Sequence, residues 1–61
     1  MPIIDVTLIE GRDNKQKRAL IEALTDAAEK SIGVPRQAIR VIIREVPGAH
    51  FGVAGVPKSE G

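Results

Sequence analysis

Cysteine, tryptophan and tyrosine are absent from this 61-residue chain, and phenylalanine, methionine and histidine occur once each. Without cysteine there can be no disulfide staple, no thiolate nucleophile and no cysteine-held zinc or iron–sulfur centre. A single histidine, His50, is a poor basis for a metal site, so neither a metal nor a cofactor is expected. Charge of one sign is missing too: nine Lys or Arg face eight Asp or Glu, for a net charge of +1. With no basic run and one aromatic ring, Phe51, the composition argues against nucleic acid. No apolar run approaches the ~18 residues that span a membrane, and the first residues lack the charged-then-apolar pattern of a secretion leader. The expected address is the cytoplasm, away from any membrane.

What the chain does have is aliphatic bulk. Eight Ile, six Val and three Leu stand in a composition that is 43% apolar and 28% charged, typical of a folded soluble domain. The length allows one domain, residues 1–61. A domain of this size buries only about 60% of the surface of its unfolded chain, and such small cores rarely suffice unaided. With disulfides and metal set aside, association between subunits is the remaining source of burial.

Residues 2–9 alternate, with Ile4, Val6 and Leu8 on one face and Ile3, Asp5, Thr7 and Ile9 on the other, which predicts a strand. Glu10-Gly11-Arg12 reads as a turn. Asp13 is a good helix N-cap, and Gln16 three residues later completes a capping-box pattern. From Asn14 to Ile32 the residues Leu20, Ile21, Leu24, Ala27, Ala28 and Ile32 form an apolar stripe at helical spacing, with Lys17 among the charges off it. Gly33 and Pro35 mark the stop. Residues 38–46 predict a second strand, apolar enough to be covered on both faces as in a parallel pair. Pro47-Gly48 is a turn, residues 51–56 are a short strand or hairpin, and residues 57–61 are a polar tail. The expected fold is therefore α/β (α+β): one β-α-β unit with parallel strands, a crossover helix and a short C-terminal hairpin. One helix covers one face of a two-stranded sheet, so the other face calls for a neighbouring subunit.

A few residues could carry chemistry. Met1-Pro2 is a context in which the initiator methionine is normally removed, leaving a secondary amine at the start of a strand. An α-amino group titrates near ~7.7–8.0, so cationic neighbours and partial burial can make a neutral general base of it. Arg12 follows the first strand. Arg40 lies within the aliphatic second strand, where a guanidinium calls for a partner or a ligand. Arg44 reads as solvated or salt-bridged, and Asp5 and Glu45 as members of surface or interface ion pairs. Phe51 could be core or pocket wall, and His50 reads as structural or exposed. Ser31 and Ser59 have no plausible base nearby, and the glycines of 48–55 do not open a helix after a strand as a phosphate-binding loop would.

Pro2, Leu8-Ile9-Glu10-Gly11-Arg12, Gln16-Lys17, Arg40-Val41-Ile42-Ile43, Glu45, His50-Phe51-Gly52-Val53 and Gly55 together form a frame. It resembles the 4-oxalocrotonate tautomerase (2-hydroxymuconate tautomerase) family across roughly residues 2–55. The resemblance implies a tautomerase-like fold assembled as a homohexamer, a trimer of dimers with shared active sites, working in aromatic-hydrocarbon breakdown. It implies that Pro2, freed of Met1, is the general base that moves a proton from the hydroxyl of dienolic 2-hydroxymuconate to the distal carbon, giving 2-oxo-3-hexenedioate. Arg12 would bind the distal carboxylate, and Arg40 from another subunit would hold the 2-oxygen and the nearby carboxylate. Phe51 would be the apolar wall, and the backbone near Ile9 would line the same pocket. The implied substrate is a small dicarboxylate or 2-oxo acid; the alternatives are a promiscuous enol–keto tautomerase of other 2-oxo acids and a non-catalytic oligomeric interaction module on the same fold. Family members often carry a further arginine in the C-terminal tail, where this chain has only Lys58. Related dehalogenases place a carboxylate two residues after the position of Phe51, and this chain has Val53 there.

Overall fold

A computed structural model describes residues 1–60. Strand β1 (Ile3–Ile9) leads into helix α1 (Asn14–Ile32), which returns the chain to strand β2 (Arg40–Val46). The two strands pair in parallel from Ile3 opposite Arg40 to Ile9 opposite Val46. Parallel strands require a crossover, and α1 supplies it. The expected β-α-β unit and C-terminal hairpin are both present, the hairpin being the antiparallel pair β3 (Gly52–Val53) and β4 (Val56–Pro57).

The helix ends where local chemistry ends it. The Asp13 side chain accepts from the Gln16 N–H at 2.8 Å, and the Gln16 side chain accepts from the Asp13 N–H at 3.2 Å, a complete capping box. Gly33 closes the other end with φ 69°, a left-handed conformation that favours glycine, and donates to the Glu29 carbonyl. The covered face of α1 differs from the expected stripe. Leu20, Leu24 and Ala28 are half-buried as anticipated, joined by Lys17 and Thr25, whereas Ile21, Ala27 and Ile32 are exposed.

The second strand begins two residues later than expected. Arg36–Ala38 form a single 3-10 turn, in which Ala38 N–H donates to the Pro35 carbonyl at 3.0 Å and Ile39 N–H to that of Arg36 at 3.1 Å. Alternation of side chains cannot reveal such a turn, because an apolar residue on either side of it looks like strand. The tail is also more ordered than a polar tail suggests: Lys58–Glu60 make another 3-10 turn that lies against Gly48.

The sheet is covered on one side only. Ile4, Val6 and Leu8 of β1 and Val41 and Ile43 of β2 are half-buried, while Ile3, Asp5, Thr7, Arg40, Ile42 and Arg44 on the opposite face are all exposed. The expected burial of β2 on both faces is thus not met within one subunit. Ile39, at 8% exposure, is the one buried apolar residue among the described residues. The radius of gyration is 14.4 Å, against about 10.5 Å for a compact chain of this length. The accessible surface is 4690 Å² for a mass of 6.5 kDa, about 900 Å² more than a folded monomer of that mass presents. Among the described residues, no helix is long and apolar enough to cross a membrane.

Candidate active site

The strand register divides the candidate residues between two ends of the sheet. Pro2 directly precedes β1 and is half-buried. Its carbonyl accepts a hydrogen bond from the Arg40 N–H at 3.0 Å, so the start of β1 is tied to the start of β2. Met1, ahead of it, is 78% exposed. The Arg40 guanidinium is exposed and donates to the Gln37 carbonyl of the preceding 3-10 turn. That carbonyl is a contact the sequence did not flag, since it depends on the turn.

Ile9, Arg12 and Phe51 belong to the other end. Ile9 is the last residue of β1, opposite Val46, and Glu10 N–H prolongs the ladder to the Val46 carbonyl at 2.9 Å. Gly11 then turns the chain with φ 137°, in the region open chiefly to glycine, and Arg12 stands exposed just before the helix cap. Phe51 follows the 3-10 turn Gly48–His50 and remains 36% exposed. Its carbonyl accepts from the Lys58 N–H at 2.7 Å, which sets the tail lysine beside the aromatic residue. Along β1 the two ends are seven residues apart, or roughly 20 Å at the rise of an extended strand. One chain therefore brings Pro2 to Arg40 at one end of the sheet, while the segments carrying Arg12 and Phe51 continue from the other end, beyond Ile9 and Val46. It encloses no pocket among its described residues.

The arginines sort by what holds them. The Arg44 Nε donates to Asp5 at 2.9 Å across the open face of the sheet. Arg36 donates to both Asp26 and Glu29 of α1. Each of these guanidinium pKa values is pushed up, chiefly by the hydrogen bonds to those carboxylates. Among the described residues, neither Arg12 nor Arg40 has a carboxylate partner. Arg18, on the helix and away from either end of the sheet, also lacks one. A fourth ion pair, Lys17 to Glu45 at 2.8 Å, links the first turn of α1 to the end of β2. Glu45 was expected to form an ion pair; its partner was not. The signal was the spacing 17, 20, 24, 28, which puts Lys17 in line with the covered leucines.

The arrangement thus offers a proline, second in the chain, at one sheet end, and two guanidinium groups that no carboxylate occupies among the described residues. Comparison with known proteins agrees with the frame of residues. A family model described as tautomerase enzyme matches residues 2–61. A probable tautomerase of Ralstonia nicotianae is 64% identical over 59 residues, covering 97% of this chain and 84% of that protein. Among solved structures, TomN, a 4-oxalocrotonate tautomerase homologue in the tomaymycin biosynthetic pathway, superimposes with a TM-score of 0.95 at 46% identity, covering 97% of this chain and 91% of that one. A heterohexamer 4-oxalocrotonate tautomerase from Chloroflexus aurantiacus gives 0.94 at 40% identity, with 98% and 97% covered.

Proposed function

The chain belongs to the tautomerase enzyme family, and from that premise we propose that it is a cofactor-independent isomerase that interconverts 2-hydroxymuconate and 2-oxo-3-hexenedioate. Loss of the exposed Met1 leaves Pro2 with a secondary amine. In its neutral form that amine takes the proton of the dienol hydroxyl and returns one to the distal carbon, so no net charge is gained and no redox partner is needed. Arg12 binds the distal carboxylate and draws electron density towards it. Arg40 holds the 2-oxygen and the nearer carboxylate, where its fork suits two oxygens at once. Two cations near the amine disfavour its protonated form, and Phe51, with the backbone at Ile9, keeps the reacting atoms away from bulk water.

The observation that carries this reading is the contrast among arginines: Arg36 and Arg44 are occupied by carboxylates, whereas Arg12 and Arg40, the two at the sheet ends, have none among the described residues, as is also true of Arg18 on the helix. A dianionic substrate calls for two such cations. Because they lie at opposite ends of the sheet, the reading includes an assembly, a hexamer built as a trimer of dimers. Two copies set edge to edge with antiparallel β1 strands bring the Pro2 end of one against the Ile9–Arg12 end of the other. The surplus exposed surface of each subunit, with Ile3 and Ile42 on the open face, supports association. The molecule is taken to work in the cytoplasm. A second reading, a tautomerase of other enolic 2-oxo acids, is favoured by the likeness to a protein of a biosynthetic pathway, since it separates this fold from any one substrate.

The test is an ultraviolet assay of ketonisation with 2-hydroxymuconate and with phenylenolpyruvate, on protein whose intact mass confirms loss of Met1. Fast conversion of the diacid that falls about 10²-fold or more in Pro2→Ala and Arg40→Ala supports the first reading. Conversion of phenylenolpyruvate alone selects the second. Failure with both substrates, in processed and assembled protein, overturns the two together.

A further inference from the structure

We propose that Lys17 and Glu45 are positioning residues for Arg12: their ion pair holds the β1–α1 turn in the place where its guanidinium can meet a carboxylate. The proposal rests on the tautomerase reading for what Arg12 binds, though not for what fixes the turn.

Of the ion pairs among the described residues, this one is the most shielded, its side chains 21% and 30% exposed, whereas every other partner is at least 44% exposed. Both charges occupy positions where an apolar residue would be expected. Glu45 shares the helix-covered face of β2 with Val41 and Ile43, opposite Leu8 in the register. Lys17 continues the row Leu20, Leu24 and Ala28. An apolar pair at these positions would bury more hydrocarbon, and half-exposed ion pairs add little to stability. Stability is therefore a weak reason for two charges here. A charge-assisted hydrogen bond supplies direction instead, because it fixes two groups at one distance and angle.

What it fixes follows from the backbone on either side. Lys17 N–H donates to the Asp13 carbonyl at 3.2 Å, and Asp13 is locked to Gln16 by the capping box, so Lys17 is rigidly joined to the residue after Arg12. Glu45 precedes Val46, whose carbonyl receives the Glu10 N–H at 2.9 Å. The Lys17–Glu45 bond, spanning 28 residues, closes a ring through Glu10, Arg12, Asp13, Lys17, Glu45 and Val46. Inside that ring, Gly11 and Arg12 have no hydrogen bonds of their own among the described residues. Their position is set by the ring. A guanidinium that must meet both oxygens of a carboxylate tolerates little displacement.

The experiment compares the full-length, assembled wild type with Lys17→Met, Glu45→Gln and the conservative Lys17→Arg. Backbone ¹⁵N relaxation gives the first readout, independent of any substrate. In Lys17→Met and Glu45→Gln the order parameters of Gly11 and Arg12 are expected to fall from about 0.85 towards 0.6, while that of Leu24 stays rigid. Kinetics gives the second: kcat/KM for 2-hydroxymuconate falls about tenfold, with a raised KM, while the turnover of phenylenolpyruvate, which has a single carboxylate, is unchanged. Lys17→Arg restores both readouts. Equal losses on both substrates, or loosening spread through Leu24, would show a merely structural pair and overturn the proposal. Unchanged relaxation and KM in both disrupting variants would overturn it as well. A wild type inactive on both substrates would sink the tautomerase reading, and the relaxation of Gly11 and Arg12 would still decide the positioning claim.

Discussion

Chemistry at the residue scale depends on which polar groups are left uncommitted. Pro2 contributes a carbonyl to the sheet, accepting from the Arg40 N–H, while its ring nitrogen has no N–H to give to the ladder. While Met1 is attached, that nitrogen is an amide without a basic lone pair. A chain with one uncleaved residue ahead of Pro2 is expected to lose about 10²–10⁴-fold in kcat, the usual worth of a general base. Sedimentation should show its assembly unchanged, and intact-mass measurement identifies the form assayed. The pH profile follows from the same group. Arg36 and Arg44 have folded pKa values raised above an already high ordinary value. Their contribution to stability is therefore complete below that ordinary value and is lost only as pH rises through the raised one, far above neutrality. A rise of kcat/KM with pH between 5 and 9, measured by initial rates, is expected to report the amine of Pro2 rather than any arginine. Arg40 stood out in the sequence because a guanidinium is out of keeping with an aliphatic strand, whereas Pro2 and Arg12 stood out only through the family resemblance. The partners of Asp5 and Glu45 did not, since they lie 39 and 28 residues away.

Among the elements, α1 was legible nearly to the residue because both of its ends are closed by groups three or four positions away. Asp13→Ala removes the acceptor for the Gln16 N–H and is expected to cost about 1 kcal/mol, read as a lower urea midpoint at constant slope. The hairpin was less distinct. Its two-residue loop places Ala54 at φ 53° and Gly55 at φ 83°, the left-handed pair that a tight antiparallel turn requires. Alanine is a costly choice there, and the usual signal of Asn followed by Gly is missing. Ala54→Asn is expected to stabilise the protein by about 0.5–1 kcal/mol, measured by the same denaturation. A neutral or harmful result would mean that contacts of the alanine methyl outweigh its backbone strain. Lys17 was misjudged at this scale because a charge in line with leucines looks, in sequence, like an interruption of the stripe.

For the whole molecule, the subunit has too little interior. One buried apolar residue among the described residues goes with about 900 Å² of excess surface, a surplus close to one side of a standard interface of about 800 Å². If association supplies the missing burial, Tm must rise with protein concentration, which calorimetry over a hundredfold range can follow. Ile42 is 40% exposed at the centre of the open sheet face. Ile42→Glu is expected to shift the sedimenting species towards smaller assemblies and to lower activity in step, because the candidate site is divided between sheet ends. Activity retained by a monomeric Ile42→Glu variant would contradict a shared site.

Residue order alone was sufficient wherever the physics is short-range. Capping side chains, the Gly33 stop, strand alternation and the need for outside burial all follow from neighbours in the chain or from its length and composition. The frame that pointed to a tautomerase is likewise a pattern of residue types at fixed spacings. Tertiary structure decided the rest. The register of β1 on β2 set which charges meet, leaving Arg12 and Arg40 open while occupying Arg44 with Asp5 and Glu45 with Lys17. It also put Arg40 at the Pro2 end of the sheet, away from Arg12. Pairing across dozens of residues depends on how the strands slide past one another, and no local preference encodes that.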